Sequence, residues 1–412
     1  MSAPLIEFQH VVKRFGERTI LDDVNLKLFE GEVSTIIGKS GTGKSVLLKH
    51  IIGLLKPDEG KILYKGKDIG SMSKAEWNDY TGRISYMFQN NALFDSLTVF
   101  ENVALPLRQG TRLNKQEIEK RVRSRIELSE LTEVMDKYPS EISGGMQKRV
   151  ALSRALVTYP NIVLFDEPTT GQDPIRKNAI LSMIASYQKR FKFTAVLISH
   201  DIPDVYFISN RILALYGGRI VFEGTPQAFE DFDHPFRDEI VESLEGLQEQ
   251  LTGLYSRRHF KVRYQTDLGK KQAHENYVAL VFSLDDMDQV SENVGYDKAQ
   301  EIIRSLGAYI NKHFGAVGGF SARQTINEIG TVLPFSNLEE AERILEDFVK
   351  DLRQEGLCNL HTQIQQRGDG CFEFRILAGL SQGKPQVELE SIMEFARFNQ
   401  REVARIQCEN RR

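Results

Sequence analysis

Apolar residues occur in two kinds of run along the first half of the chain. Three short runs are almost wholly apolar or β-branched and barely alternate with polar residues: VSTIIG at 33–38, NIVLFDE at 161–167 and TAVLISH at 194–200. This pattern is typical of parallel strands covered on both faces. Residues 43–55 and 146–156 have helical spacing instead. The alternation predicts an α/β domain with a mostly parallel sheet.

The pattern changes after Phe229 and changes again near Tyr277. Residues 246–276 mix leucines and aromatics with many basic side chains, which predicts a partly helical, basic linker. Its charges are expected to form a solvated surface rather than a nucleic-acid patch. From Tyr277, the run YVALVFSLDD predicts a strand, and helix, strand and helix follow. We therefore predict three parts: 1–245, 246–276 and 277–412.

Composition narrows the class of protein further. The chain has 412 residues, of which 41% are hydrophobic and 27% charged, which is typical of a globular protein with two or three domains. The net charge of −4 predicts no general attraction to nucleic acid. The three cysteines, Cys358, Cys371 and Cys408, indicate neither a disulfide framework nor a zinc site. We expect neither a signal peptide nor a membrane span, so any action at a membrane requires a partner.

The first chemical motif is a glycine-rich loop between a predicted strand and a predicted helix. The run matches G-x-x-x-x-G-K-[ST], with Gly38, Lys39, Ser40, Gly41, Thr42, Gly43, Lys44 and Ser45. Glycines let backbone N–H groups turn inward around phosphate oxygens, and the following helix presents its positive end to the anion. Lys44 is expected to reach the β- and γ-phosphates, and the Ser45 hydroxyl to ligate Mg²⁺. A chance glycine-rich turn explains this context less well.

Two adjacent carboxylates follow the second apolar run. Asp166 ends the predicted strand and is well placed to hold Mg²⁺, while Glu167 can act as general base towards the attacking water. Helix capping is the alternative, but it explains one carboxylate more readily than two. His200 follows the third run; alone it would be a surface or capping histidine, and beside these motifs we predict a γ-phosphate sensor.

A serine followed by two glycines, Ser143-Gly144-Gly145, precedes another helical stretch and by itself predicts only a turn. Taken with the motifs above, however, the first unit resembles the ATP-binding cassette (ABC) ATPases, with their motifs in order. Gly38 to Ser45 match the Walker A loop, ISGGM the signature motif, and Asp166 and Glu167 the Walker B pair. The Q-loop, D-loop, switch-histidine and adenine-stacking positions are matched by Gln89, by GQD ending at Asp173, by His200 and by Phe15.

This resemblance implies a complete set of site residues and a P-loop NTPase cassette with a helical subdomain. The implied catalytic residues are Lys44, Glu167 and His200, and the implied metal ligands are Ser45, Gln89 and Asp166. The implied nucleotide contacts are Phe15, Gly38, Lys39, Ser40, Gly41, Thr42, Gly43, Lys44, Ser45, Val46, Gln89, Ser143, Gly144, Gly145 and Asp173.

The resemblance also implies how the signature loop acts. In this family two cassettes pack head to tail, and each signature loop closes over the ATP bound by the other. Ser143 and Gly145 would then serve the partner's nucleotide in a homodimer. Met146 and Gln172 depart from the family's usual Gln and Leu, and we expect them to alter the dimer contacts without abolishing activity.

Finer similarity concerns the kind of ABC protein. The chain has one cassette and no long coiled-coil insertion, which favours a transport ATPase over the family's repair and translation members. SGTGKSVLLKHIIGLLKPDEGKI, with Val46, and ALFDSLTVFENVALPLR resemble ATPases of Mla-type, Mce-associated lipid transport systems. The second run follows Gln89, where the family receives a permease helix. An apolar docking groove is predicted there, formed by Leu93, Phe94, Leu97, Val99 and Phe100; the alternative is packing within their own domain, which is expected for several of them.

We therefore predict an ATP- and Mg²⁺-dependent ATPase that powers phospholipid transport. Its expected partners are permease subunits and an Mce-type lipid-carrying protein, with no nucleic acid. It would lie in the cytoplasm, held on the inner face of the cell membrane by the permease. The alternatives are an importer ATPase for another small solute and a non-transport signalling ATPase whose C-terminal domain senses a nucleotide.

The second unit resembles the diguanylate cyclase (GGDEF) fold, an α+β domain, but lacks that family's active residues. Thr325 to Ile329, with the sequence TINEI, stand in place of Gly-Gly-Asp-Glu-Phe, and Ser283 replaces a metal-binding aspartate. The product-binding Arg-x-x-Asp would fall at Ala316 and Gly319. Because two Mg²⁺ ions need carboxylates at these positions, we predict no cyclase activity. A role in dimerisation or partner contact is favoured over sensing an altered ligand.

Overall fold

The computed structural model describes residues 3–202, 204–230, 232, 234, 248–268, 276–334, 336–356, 373–383 and 387–407. The predicted boundary between 245 and 246 and the three cysteines lie outside these residues. The chain divides into two compact units, Met1–Leu244 and Glu245–Arg412. Among the described helices, none is long and apolar enough to cross a bilayer.

Two sheets form the framework of the first unit. The first sheet is antiparallel, in the order β2-β1-β4-β5, and the second is mostly parallel, in the order β10-β9-β3-β8-β7-β6. The strands are β1 (Ile6–Phe15), β2 (Arg18–Leu28), β3 (Val33–Ile37), β4 (Glu59–Tyr64), β5 (Lys67–Asp68), β6 (Ile84–Met87), β7 (Ile162–Asp166), β8 (Thr194–Ile198), β9 (Arg211–Tyr216) and β10 (Arg219–Gly224).

The predicted parallel strands are confirmed. β3, β7 and β8 are buried at every position, as their uninterrupted apolar runs require. β3 pairs in parallel with β8 and β9, and β7 pairs in parallel with β6 and β8. Because these strands run in one direction, their carboxyl ends meet at one edge of the sheet, where ligands of open α/β sheets bind.

Seven helices are described in the first unit: α1 (Lys44–Ile51), α2 (Lys74–Gly82), α3 (Val99–Gly110), α4 (Lys115–Leu128), α5 (Gly144–Leu156), α6 (Pro174–Phe191) and α7 (Pro226–Glu230). Helices α3, α4 and α5 share a second hydrophobic core, to which Val103, Val122 and Val150 contribute. Serine, threonine or asparagine caps the start of α2, α3 and α4, with a glutamate three residues later completing each capping box. The helical subdomain implied by the family resemblance is thus present.

The second unit is built on an antiparallel sheet in the order β12-β13-β11-β14-β15. Its strands are β11 (Tyr277–Asp285), β12 (Phe320–Thr325), β13 (Glu328–Pro334), β14 (Glu373–Gly383) and β15 (Arg401–Gln407). Its helices are α8 (Arg257–Asp267), α9 (Met287–Val294), α10 (Tyr296–Ala316), α11 (Leu338–Asp351) and α12 (Leu389–Phe398), and a π-helical turn spans Leu352–Gly356.

Residues 248–268, which fall within the predicted linker, belong to this second unit. Phe260, Tyr264 and Leu268 follow one another at four-residue spacing and therefore form a stripe along α8. All three are buried in one core with Tyr277 and Phe320 of the sheet. Basic residues lie before and between these three, and the segment was therefore predicted to be a linker from its composition.

Candidate nucleotide-binding site

The glycine-rich loop joins β3 to α1 at the carboxyl edge of the parallel sheet. Gly43 has a φ of 103°, a backbone conformation that residues with side chains rarely adopt. A Cβ at Gly43 would also lie 2.7 Å from Cγ2 of Ile20. The loop therefore requires glycine here for both conformation and space. Lys39 and Ser40 are exposed, Thr42 Oγ1 donates to Lys39 O at 2.9 Å, and the Val46 side chain packs against the core of the unit.

Lys44 lies at the centre of the loop. Its Nζ donates to Gly38 O and Lys39 O, each at 2.8 Å. The side chain is buried, and burial lowers the lysine pKa, an effect opposed by the nearby charges of Glu167 and Asp166. A buried ammonium can bind a polyanion strongly, because the low local dielectric strengthens the attraction.

Ser45 and Asp166 meet beside this lysine. Ser45 Oγ donates to Asp166 Oδ1 at 3.0 Å. Two oxygens in adjacent positions of an octahedral Mg²⁺ site, with bonds of about 2.0–2.1 Å, lie about 2.9 Å apart. The hydroxyl and the carboxylate are thus hard oxygen donors at the spacing that Mg²⁺ requires, and the residues fit the ion.

Glu167 is the centre of a second group of side chains. Its Oε1 accepts from His200 Nε2 at 2.5 Å, and its Oε2 accepts from Gln89 Nε2 at 2.9 Å and from Thr170 Oγ1 at 3.2 Å. The Gln89 amide group thus bonds to this carboxylate, not to the Ser45–Asp166 pair. Glu167 has a φ of 49°, a left-handed conformation that costs a residue with a side chain about 1–3 kcal/mol and often marks a functional position.

Phe15 lies at the end of β1 with an exposed ring. The side chain is 49% exposed, and Lys13 Nζ lies 5.5 Å from the ring centroid. Among the described residues few large apolar side chains are this exposed, and a planar aromatic face open to solvent is suited to stacking on a base.

The signature loop begins α5, and its interactions are local. Ser143 caps the helix, and its Oγ accepts from Met146 N at 3.3 Å. A Cβ at Gly144 would meet open space, whereas a Cβ at Gly145 would lie 3.3 Å from Arg176 Cδ and from Gln172 Oε1. The exposed helix start can therefore receive an anion from outside its own chain. Asp173 caps α6 by accepting from Ile175 N and Arg176 N, each at 3.1 Å.

Two further residues of this region escaped the sequence analysis. Tyr86 OH donates to Asp166 Oδ2 at 2.7 Å, and Lys148 Nζ donates to the backbone carbonyl of Gln89 at 2.7 Å. Burial, and after it the hydrogen bond and charge of Asp166, raise the pKa of Tyr86, so the phenol keeps its proton. In the sequence, Tyr86 is marked only by a hydroxyl near the end of a short strand that leads into the Q-loop, which does not indicate a contact with Asp166.

Of the five residues predicted to form the docking groove, one is fully buried and the others are half-buried or exposed. Val99 is fully buried, and Leu93 and Phe100 pack against the core of the helical subdomain. Phe94 remains 52% exposed, and Phe88, which was not predicted, is 41% exposed. Val99 therefore belongs to the core, as the alternative allowed, and the docking role of the half-buried Leu93, Leu97 and Phe100 and the exposed Phe94 stays a prediction.

The region corresponding to the cyclase site lies at the β12–β13 turn of the second unit. Glu328 begins β13, and both of its carboxylate oxygens accept from Arg397 at 2.9–3.1 Å. Ser283 Oγ accepts from Gln400 Nε2 at 2.7 Å. Arg397 and Gln400 thus hydrogen-bond to Glu328 and Ser283, which stand at positions corresponding to the cyclase site. Within the described residues there is no cluster of three or more His, Cys, Asp or Glu side chains that could hold a metal.

Arg397→Ala is expected to destabilise the second unit by about 1–3 kcal/mol, because it leaves the Glu328 carboxylate without its main partner. Hydrogen exchange of β11 and β13 in the full-length protein measures this loss. The matched control is Arg343→Ala, which removes an exposed pair with Glu339 and should cost about 0–1 kcal/mol. Equal protection in both variants would contradict the assigned role of Arg397.

Comparison with known proteins places the first unit in a family. The ABC transporter family profile matches residues 21–170, and the diguanylate cyclase GGDEF domain profile matches residues 247–396. The intermembrane phospholipid transport system ATP-binding protein MlaF of Haemophilus influenzae is 38% identical over 227 residues, which are 55% of this chain and 86% of that protein. The chain belongs to the ABC transporter ATP-binding proteins.

Other relatives carry different substrate names. The Fe(3+) ions import ATP-binding protein FbpC 1 of Pectobacterium atrosepticum is 36% identical over 222 residues, which are 54% of this chain and 61% of that protein. A solved structure, CbiO1 from Clostridium perfringens, part of the ABC transporter complex CbiONQ, is 24% identical with a TM-score of 0.52. It covers 65% of this chain and 96% of its own, and it supports the fold alone. The two family profiles and the similarity to MlaF together show that the chain is an ATP-binding ABC ATPase subunit with a GGDEF-like C-terminal domain.

Proposed function

We propose that this ABC ATPase powers the movement of phospholipid between bacterial membranes. The observation that carries the proposal is the similarity to MlaF, which extends over 86% of that protein, against 61% for the iron importer subunit. The run ALFDSLTVFENVALPLR beside the Q-loop adds to it. In this role the cassette docks on permease subunits at the cytoplasmic face of the membrane, and an Mce-type protein carries the lipid.

Within the site, each residue has a proposed role. Phe15 stacks on adenine, the Gly38–Ser45 loop and Lys44 hold the phosphates, and Ser45 and Asp166 hold Mg²⁺. The ion neutralises phosphate charge when it is bound. Glu167 accepts the proton of the attacking water.

Four further side chains and two backbone amides complete the proposed mechanism. His200 and Gln89 orient the Glu167 carboxylate, to which both are hydrogen-bonded. Ser143 and the amides of Gly144 and Gly145 receive the γ-phosphate held by a second copy of the chain, so ATP joins two cassettes. Asp173 lies in the D-loop, beside the same proposed interface.

The second unit is proposed to serve dimerisation or partner contact without catalysis. The Arg397–Glu328 and Gln400–Ser283 pairs support the absence of catalysis, because they engage side chains at positions where two metal ions would need ligands. Sensing of an altered nucleotide is the alternative. Isothermal titration of the full-length Lys44→Ala variant, in which the first unit's site is disabled, with GTP and Mg²⁺ is expected to show no binding, and binding that persists in this variant would favour the sensing alternative.

The transported substrate is tested with the membrane complex itself. Purification from bacterial membranes through a tag on this chain is expected to recover permease subunits and bound phospholipid, both identified by mass spectrometry. ATPase activity of the complex should rise in vesicles that contain that lipid. Recovery of a solute-binding component with stimulation by its solute, and no bound lipid, would favour the importer alternative suggested by the iron-transport relative.

A further inference from the structure

Tyr86 contacts the candidate metal site from a neighbouring strand. It lies on β6, where it pairs in parallel with Leu164 of β7, two residues before Asp166. Its hydroxyl reaches Asp166 Oδ2 at 2.7 Å, while Asp166 Oδ1 accepts from Ser45. Each oxygen of the carboxylate therefore has one hydroxyl donor, and the two donors come from different elements of the fold.

Two hydrogen-bond donors define the orientation of the Asp166 carboxylate, whereas one donor does not. A carboxylate held at one oxygen can still rotate about its Cβ–Cγ bond, and that torsion has a broad energy minimum. A second hydrogen bond to the other oxygen defines the plane of the group. Asp166 is 6% exposed, so few water molecules can supply this bond in place of the tyrosine.

The tyrosine itself is held in place. Its ring centroid lies 4.4 Å from that of Phe88, and its strand pairs with β7 over the whole length of β6. Packing and strand pairing thus restrict the ring, so the hydroxyl approaches Asp166 from a fixed direction. Such supporting hydrogen bonds orient metal ligands in proteins, and their loss commonly weakens metal binding by about 10–100-fold.

We propose that Tyr86 is a positioning residue, which holds the Asp166 carboxylate so that Oδ1 and the Ser45 hydroxyl face the nucleotide-bound divalent cation together. The inference rests on the proposed metal role of Asp166. It assigns to this chain a determinant of metal affinity that lies outside the loop, signature and Walker B motifs. Tyr86 is proposed to act through Asp166 and not as a ligand, since its hydroxyl reaches Oδ2 of that carboxylate whereas Ser45 reaches Oδ1.

The experiment measures Mn²⁺ binding to the full-length protein in the presence of a non-hydrolysable ATP analogue, by electron paramagnetic resonance of free Mn²⁺. Tyr86→Phe, which removes only the hydroxyl, is expected to raise the Mn²⁺ dissociation constant about tenfold. Affinity for the analogue without metal should stay within about twofold of wild type, because Tyr86 has no proposed contact with the nucleotide. Tyr86→Leu provides a second hydroxyl-free variant should Tyr86→Phe fold poorly.

The matched control is Tyr187→Phe, which removes a buried hydroxyl that donates to Leu128 O at 2.6 Å in another part of the unit. It should leave Mn²⁺ binding unchanged. Asp166→Asn should abolish tight Mn²⁺ binding, and adding Tyr86→Phe to it should have no further effect.

Two outcomes distinguish failure of the positioning role of Tyr86 from failure of the metal role of Asp166. If Asp166→Asn weakens Mn²⁺ binding but the Tyr86 variants bind it as the wild type does, the positioning role is overturned and the metal role stands. If Asp166→Asn itself binds Mn²⁺ normally, the proposed metal role fails, and the role of Tyr86 fails with it.

Discussion

Glu167→Gln is expected to lower the rate of ATP hydrolysis by about 10²–10⁴-fold and to leave ATP affinity nearly unchanged. Glutamine keeps the shape of the side chain and one acceptor oxygen, so it can still accept a hydrogen bond from His200 or Gln89. It cannot accept a proton from water, so the chemical step loses its base. ATP bound but not cleaved should then hold two chains together, which size-exclusion chromatography with ATP and Mg²⁺ would detect as a stable dimer.

The matched control for this variant is Glu76→Gln. Glu76 is also a carboxylate with several hydrogen-bond donors, but its partners are Ser73, which caps α2, and Lys67 of β5. We expect this variant to hydrolyse ATP at the wild-type rate. An unchanged rate in Glu167→Gln would rule out Glu167 as the general base.

Gly145→Asp is expected to reduce hydrolysis by about 10²-fold or more, because it places a negative charge where the partner's γ-phosphate is proposed to lie. The change should not unfold the helix. Gly145 lies in the first turn of α5, where an acidic residue is favourable, and its nearest neighbours are the ends of two flexible side chains. ATP binding by each separate chain should remain within about threefold of wild type, because the loop does not serve its own chain's site.

Gly82→Asp is the control for an added charge at a glycine. Gly82 ends α2, and a Cβ there would meet open space. This variant should retain wild-type hydrolysis. If Gly145→Asp weakened ATP binding by the monomer as strongly as Lys44→Ala does, the signature loop would act within its own chain, contrary to our account.

Sequence alone predicted the residues whose chemistry depends on local spacing. Lys44 and Ser45 follow a glycine-rich loop, and Asp166 and Glu167 end a buried strand, so short-range geometry brought each into place. The structure brings Ser45 and Asp166 into hydrogen-bond contact, because both lie at the carboxyl edge of one parallel sheet. These positions depend on the strand–loop–helix context and little on the rest of the chain.

Contacts between distant segments could not be predicted in this way. Tyr86 reaches Asp166 only because β6 lies beside β7, and Lys148 reaches the Gln89 carbonyl from a helix far along the chain. The Arg397–Glu328 pair likewise joins the last helix to the β12–β13 turn. The burial of Val99 in particular could not be predicted, because an apolar side chain can fill a core or form a docking surface with the same sequence pattern.

The central claim is that two chains share each ATP, and a mixed assembly tests it most directly. Glu167→Gln and Gly145→Asp chains, each inactive alone, are combined in equal amounts, and ATP hydrolysis is measured. If the signature loop acts on the partner's nucleotide, one site of the mixed dimer carries both defects and the other carries neither, so activity should return to a substantial fraction of wild type. If the loop acts on its own chain's nucleotide, both sites remain defective. A mixture as inactive as its two components would contradict the account.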